Sequence, residues 1–87
     1  MATAYLPSSW RDLTDGAEYV EVGGSTLRDV IAELDQRFPG IAGRIRTADG
    51  IIPGLAVSVD GNVTSRGLLA KVEADSEIHF LPAIGGG

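Results

Sequence analysis

One stretch of the sequence constrains the fold more than any other. Leu27, Val30, Ile31, Leu34 and Phe38 recur at the spacing of a single apolar stripe on a 3.6-residue period. Arg28, Asp29, Glu33, Asp35 and Arg37 fall largely on the opposite side. Gly23-Gly24 interrupts what precedes the stripe, Thr26 can cap it with Asp29 three residues on, and Pro39-Gly40 ends it. The pattern predicts one amphipathic helix, and its stripe has to be buried. In 87 residues there is room for one helix-on-sheet core and little else, since a chain this short buries only about 60–65% of its unfolded surface. A sheet is the only large surface on offer.

The strands that supply it read in sequence order. Thr3 to Pro7 is a short strand closed by proline, and Tyr19 to Val22 alternates and should pair with it antiparallel. Between them "SSWRDLTDGAE" reads as a loop reversed at Asp15-Gly16. After the helix, "GIAGRIRTADG" reads as a weak helical turn running into a loop. In "LAVSVDGNVT" the residues Leu55, Val57 and Val59 alternate up to Asp60-Gly61, a type I′ hairpin signal. A link with a short 3₁₀ segment around Leu68 to Lys71 leads to the last strand, Glu77 to Leu81. There Ile78 and Phe80 share one face, and Glu77, His79 and Leu81 the other. The result is an α+β chain, a mixed four- to five-stranded sheet with one main helix on one face, which is the β-grasp arrangement. If the last strand lies beside the first, it sits mid-sheet.

Charge and composition exclude several functions. Seven Lys+Arg against twelve Asp+Glu give a net charge of −5, and phosphate backbones need clustered cations that this chain lacks. Nucleic acid is therefore not an expected partner; a protein with a basic groove fits better. With no cysteine and one histidine, disulfides, thiol nucleophiles and clustered metal ligands are absent. No phosphate-binding glycine loop is present, so no cofactor is expected to bind this chain. No apolar run approaches membrane-spanning length, and no leader pattern is seen. A cytoplasmic location is the default expectation, with no membrane partner.

The sequence finishes on "HFLPAIGGG". Taken as the end of the chain, it divides the protein into a domain over 1–81 and a flexible tail over 82–87. Glycines lacking a Cβ can enter a channel too narrow for side chains, and ordering them costs entropy that a partner must offset. Such a tail on a rigid base suits delivery of its terminal carboxylate into another protein's active site. A frayed end is the plainer alternative.

"SEIHFLPAIGGG" resembles the ending of the ThiS/MoaD family of sulfur carrier proteins, whose members close with an apolar strand, proline, a small apolar residue and Gly-Gly. The similarity spans the chain: "STLRDVIAELDQRFPGI" resembles the family's first helix, "LAVSVDGNV" its central hairpin, and "RDLTDG" the loop after its first strand. The ending is in the style of the CysO-like carriers. Gly85 departs from the family, which more often has Ala or Thr there, but the last two residues are still Gly-Gly. The resemblance implies a ubiquitin-like β-grasp protein that is not an enzyme but a protein co-substrate. An adenylating enzyme of the ThiF/MoeB kind, using ATP, would activate the Gly87 carboxylate, and sulfur transfer would leave a thiocarboxylate for a sulfur-accepting synthase. Ile84, Gly85 and Gly86 would thread the partner's channel.

Two surface residues are expected to dock partners. Leu81 stands on the outer face of the last strand, where its alternative is to complete the packing; Arg11 could pair with acids on the activating enzyme or simply be solvated. His79 reads as a surface strand residue and Trp10 as a cover over one end of the core. Asp12, Asp15, Asp29, Glu33 and Asp35 read as solvated charge, with no metal site. Three other readings stay open: a modifier joined to lysine through Gly87, the small subunit of molybdopterin synthase, and a scaffolding module with a meaningless tail. Thiamin, molybdopterin, cysteine and secondary-metabolite pathways are not separated by the sequence.

Overall fold

The computed structural model describes residues 1–82. The strands are β1 (Ala2–Tyr5), β2 (Tyr19–Val22), β3 (Arg46–Thr47), β4 (Gly50–Ile51), β5 (Leu55–Val59), β6 (Asn62–Val63) and β7 (Glu77–Pro82). Two helices, α1 (Arg11–Thr14) and α2 (Leu27–Arg37), and three 3₁₀ turns complete the elements. Five strands form one mixed sheet in the order β2-β1-β7-β5-β6, and β3 pairs with β4 alone. β1 and β7 run parallel, with Thr3 opposite Glu77 and Tyr5 opposite His79; the remaining pairs of the main sheet are antiparallel. The last strand is therefore central, between the first strand and β5.

α2 forms where the apolar stripe predicts it. Thr26 accepts from the Asp29 N–H and the Asp29 carboxylate accepts from the Thr26 N–H, a closed capping box. Gly24 precedes it at φ 123°, and a Cβ there would stand 2.7 Å from the Asp29 Cβ, so the entry requires glycine. Leu27, Val30, Ile31 and Leu34 are buried against the sheet face carried by Ala4, Val22, Val57, Ile78 and Phe80. Phe38 falls just outside the helix at its C-cap and packs against the core only partly buried.

The Asp60-Gly61 turn joins β5 to β6 with both residues at positive φ, 53° and 85°, as the mirror-image hairpin turn requires. The Asp60 carboxylate then does a second job. It accepts from the Glu77 N–H at 2.9 Å and from Ser76 Oγ at 2.8 Å, while the Asp60 N–H donates to the Glu77 carbonyl at 2.8 Å. The start of β7 is thereby pinned to the hairpin.

Some local expectations change. "RDLT" is not loop but one helical turn, α1, closed by Asp15 in the left-handed region at φ 56°. The segment after α2 contains the expected turn (Ile41–Arg44, 3₁₀), then the small β3–β4 ladder in place of a loop. β7 runs one residue further than expected, through Pro82, which pairs with Leu55. Four of the five carboxylates expected to be solvated charge are engaged, Asp29 through its capping box. Glu33 accepts from the Gly23 N–H, and Asp35 accepts from the Gly40 and Ala42 N–H groups, both at 3.1 Å. Asp12 pairs with Arg44 at 2.8 and 3.0 Å. No three metal-ligating side chains cluster among the described residues.

Thr26→Ala should lower stability by about 1 kcal/mol, as loss of an N-cap does, seen as a lower urea midpoint at unchanged slope. Hydrogen bonds from Glu77 and Ser76 hold the Asp60 carboxyl below its ordinary value of 3.8, and the Ser25 and Thr26 bonds do the same for Asp29. A carboxyl with a lowered folded pKa stabilises the fold above its unfolded value and loses that contribution as pH falls through the folded one. Stability should therefore hold down to pH near 4 and decline below it, and the decline should be shallower in Asp60→Asn than in the wild type in urea titrations at stepped pH.

Candidate functional site

Because β7 alternates, its two faces have different tasks. Ile78 and Phe80 point into the core, with Phe80 against Trp10 at a ring separation of 5.5 Å. Trp10 is itself buried, so it covers this end of the core as its sequence position implies. Glu77, His79 and Leu81 point to the other face of the sheet, which α2 does not cover.

Register aligns the residues of this open face in rows. Tyr19, Tyr5, His79 and Ser58 are successive cross-strand partners. The Tyr5 and His79 rings stack at 4.4 Å and 5° between planes, and Tyr5 meets Tyr19 at 6.0 Å, tilted. Leu81 stands in the next row opposite Ala56 and is 48% exposed, while Tyr19 is 62% exposed. Leu81 thus lies outward, as expected, on an apolar and aromatic surface. His79 is half-buried by its stack, with Nε2 3.9 Å from the Glu77 carboxylate. The sequence indicated a surface strand residue; the stacking partner lies 74 residues earlier and leaves no local signal.

The end of β7 is where the candidate tail departs. Pro82 forms part of a groove of about 480 Å³ with Trp10, Arg44, Ile52, Pro53 and Leu55. Four separate segments meet in this groove, and they are not adjacent in the sequence. Arg44 is oriented by its two hydrogen bonds to Asp12. That pairing holds the Asp12 carboxyl below its ordinary value and raises the Arg44 guanidinium above its own.

Arg11, the second expected docking residue, belongs to α1, directly after Trp10 and at the same end of the sheet as Pro82. Its exposed guanidinium lies 3.9 Å from the Glu18 carboxylate, an exposed pair that contributes little to stability. Ile84, Gly85, Gly86 and Gly87 lie outside the described residues. The described part presents three features at this end of the sheet. They are a rigid central strand, an open apolar face beside its last residues, and an exit at Pro82. No described helix is long and apolar enough to cross a membrane.

Comparison with known proteins agrees with this geometry. The family model of the ThiS family matches residues 5–87. Sulfur carrier protein CysO of Mycobacterium tuberculosis is 34% identical over 92 residues, covering 98% of this chain and 97% of the relative. Among solved structures, a chain of the Amycolatopsis orientalis BexX/CysO complex superposes with a TM-score of 0.94 at 29% identity, with both chains covered in full. The M. tuberculosis CysO crystal structure gives 0.89 at 25% identity over 97% of this chain and 100% of that one. The Methanosarcina acetivorans SAMP1 solution structure, 21% identical over 99% of this chain and 95% of that one, shares the fold at 0.82. The chain belongs to the ThiS family and has its ubiquitin-like β-grasp fold.

Proposed function

We propose that this protein is a sulfur carrier of the CysO type, a co-substrate of partner enzymes rather than a catalyst, whose working group is the Gly87 carboxylate. The observation that carries the reading is the placement of β7. The strand leading to Pro-Ala-Ile-Gly-Gly-Gly is the middle strand of the sheet, bonded on both edges. A partner that binds the open face therefore receives a tail whose root is fixed.

The chemistry follows from what a carboxylate lacks. Its oxygen is a poor leaving group, so a partner enzyme must first join it to AMP from ATP, releasing pyrophosphate. A sulfide or persulfide sulfur then attacks the Gly87 carbonyl carbon, the bond to AMP breaks, and a thiocarboxylate remains once any persulfide S–S bond is reduced. With no cysteine in the chain, sulfur cannot ride on it as a persulfide. Glycines at 85–87 suit a narrow partner channel, and residues 83–87 reach at most about 18 Å beyond Pro82. Ile84 is the one large apolar side chain in that segment and would seat at the channel mouth.

The acceptor is best sought among sulfide-consuming enzymes of cysteine synthesis, because the 34% identical relative is named for that class of carrier. A ThiF/MoeB-like activating enzyme would approach the open face, with Leu81 at the contact and Arg11 paired to an acid on the partner.

Incubation with such an activating enzyme, ATP and sulfide should replace one oxygen by sulfur at Gly87, read by intact-mass and fragment-ion spectra. An unchanged mass with several enzymes of this class defeats the reading. Amidation of Gly87, or one bulky residue added after it, should abolish the exchange while leaving the thermal unfolding midpoint in place.

Leu81→Arg should raise the KM for activation by roughly tenfold, equivalent to about 1.4 kcal/mol of binding, with the fold intact by circular dichroism. An unaltered KM removes Leu81 from the docking surface.

A further inference from the structure

The chain has one lysine, Lys71; its other six cationic side chains are arginines. Arginine stays protonated at all physiological pH and is a poor acyl acceptor, so Lys71 is the only side-chain amine able to take an acyl group. Its backbone is held firmly. Lys71 bridges Thr26, and its neighbours Ala70 and Val72 are buried. The Ala70 carbonyl accepts from the Leu27 N–H, and the Val72 N–H donates to the Ser25 carbonyl, both at 2.9 Å. The side chain is exposed on this fixed segment.

Lys71 lines a groove of about 440 Å³ with Asn62, Val63, Thr64, Ser65 and Arg66. The groove runs beside β6, an edge strand of the main sheet. The Thr64 N–H donates back to the Val57 carbonyl at 2.9 Å. By the alternation of an antiparallel ladder, the N–H and C=O of Val63 then point to the open edge. An extended segment can pair there, and Arg66 and Lys71 place two cations in the same groove. Of the two acids lining it, Asp60 is engaged by Ser76 and Glu77; Glu73 stands exposed.

We propose that Lys71 is an acyl acceptor for the activated Gly87 carboxyl of a second copy of this chain, whose residues 83–87 lie in this groove. The inference rests on the reading of Gly87 as an activated group. The occupant has no side chain larger than isoleucine and ends in three glycines, so it can lie flat along an edge strand and bring a carbonyl to the amine. It comes from another copy because of where β7 leads. Asp60, in the groove, is bonded to Glu77 at the start of β7, and the strand then carries the chain away to Pro82. Those five steps cover about 17 Å. A chain's own residues 83–87, at most about 18 Å long, would spend their whole reach returning and have nothing left for the reversal.

In the reaction a neutral Lys71 Nζ attacks the Gly87 carbonyl carbon of the acyl-adenylate. A C–N bond forms, the C–O bond to AMP breaks with its electron pair leaving on AMP, and the nitrogen loses a proton to water. The product is a dimer branched by an isopeptide bond.

The test uses the full chain carrying a chemically installed thioester at Gly87, so that failure of enzymatic activation and failure of Lys71 to accept are seen separately. Amide products are mapped by peptide mass spectrometry in buffer and in urea. The Met1 α-amine competes from outside this groove. Folding should raise the ratio of Lys71-linked to Met1-linked product by roughly tenfold, through the raised local concentration of the tail. Lys71→Arg should eliminate the branched dimer, and Arg66→Glu should slow its formation by roughly fivefold. A ratio unchanged by folding, or a cyclic monomer in place of the branched dimer, would each overturn the assignment.

Discussion

The parallel pairing of β1 with β7 is the constraint on which this molecule is organised. It brings the beginning and the end of the described chain into adjacent strands, so neither can loosen without opening the middle of the sheet. It also places Ala2, Ala4, Ile78 and Phe80 side by side beneath α2, and the helix stripe finds its cover there. Long-range pairing of this kind closes nearly the whole chain into one loop before it gains contacts. The central strand of the sheet, bonded on both edges, is the one that leads to the candidate working group.

Acidic side chains, alongside buried apolar ones such as Ile41, Ile45 and Val72, tie the connections to this frame. Glu33, Asp29 and Asp35 project from α2 and accept N–H groups from the loops entering and leaving it. Asp60 does the same for β7. Backbone amides at helix ends and turns would otherwise lack partners, and carboxylates make strong acceptors for them. An excess of acids in so small a chain is thus partly structural, and partly the source of the net negative charge that a basic partner would meet.

Much of this was legible in the sequence because it was local. The α2 stripe, the Thr26–Asp29 cap, the Asp60-Gly61 turn and the two faces of β7 each follow from spacings within a dozen residues. The open face could be anticipated for the same reason: His79 and Leu81 alternate with Ile78 and Phe80. What stayed hidden depends on distance along the chain. The Asp12–Arg44 pair spans 32 residues, and the Tyr5–His79 stack joins the first strand to the last. Two-residue strands such as β3 and β4 are too short to show a period of two. α1 has four residues, too few for a helical stripe, and follows the seating of Trp10 over Phe80. The groove at Pro82 needed four segments to be placed before it existed.

The same parallel arrangement separates the two ends of the domain. Ala2 begins β1 beside the start of β7, where the Thr3 N–H meets the Ser76 carbonyl, and Pro82 closes β7 a strand's length away. Cargo fused ahead of Met1 would therefore hang from the pole of the molecule opposite the exit at Pro82. An affinity handle or a fluorescent protein placed there leaves that exit unobstructed, which makes the amino end the natural attachment point for immobilising the protein or following it in a cell.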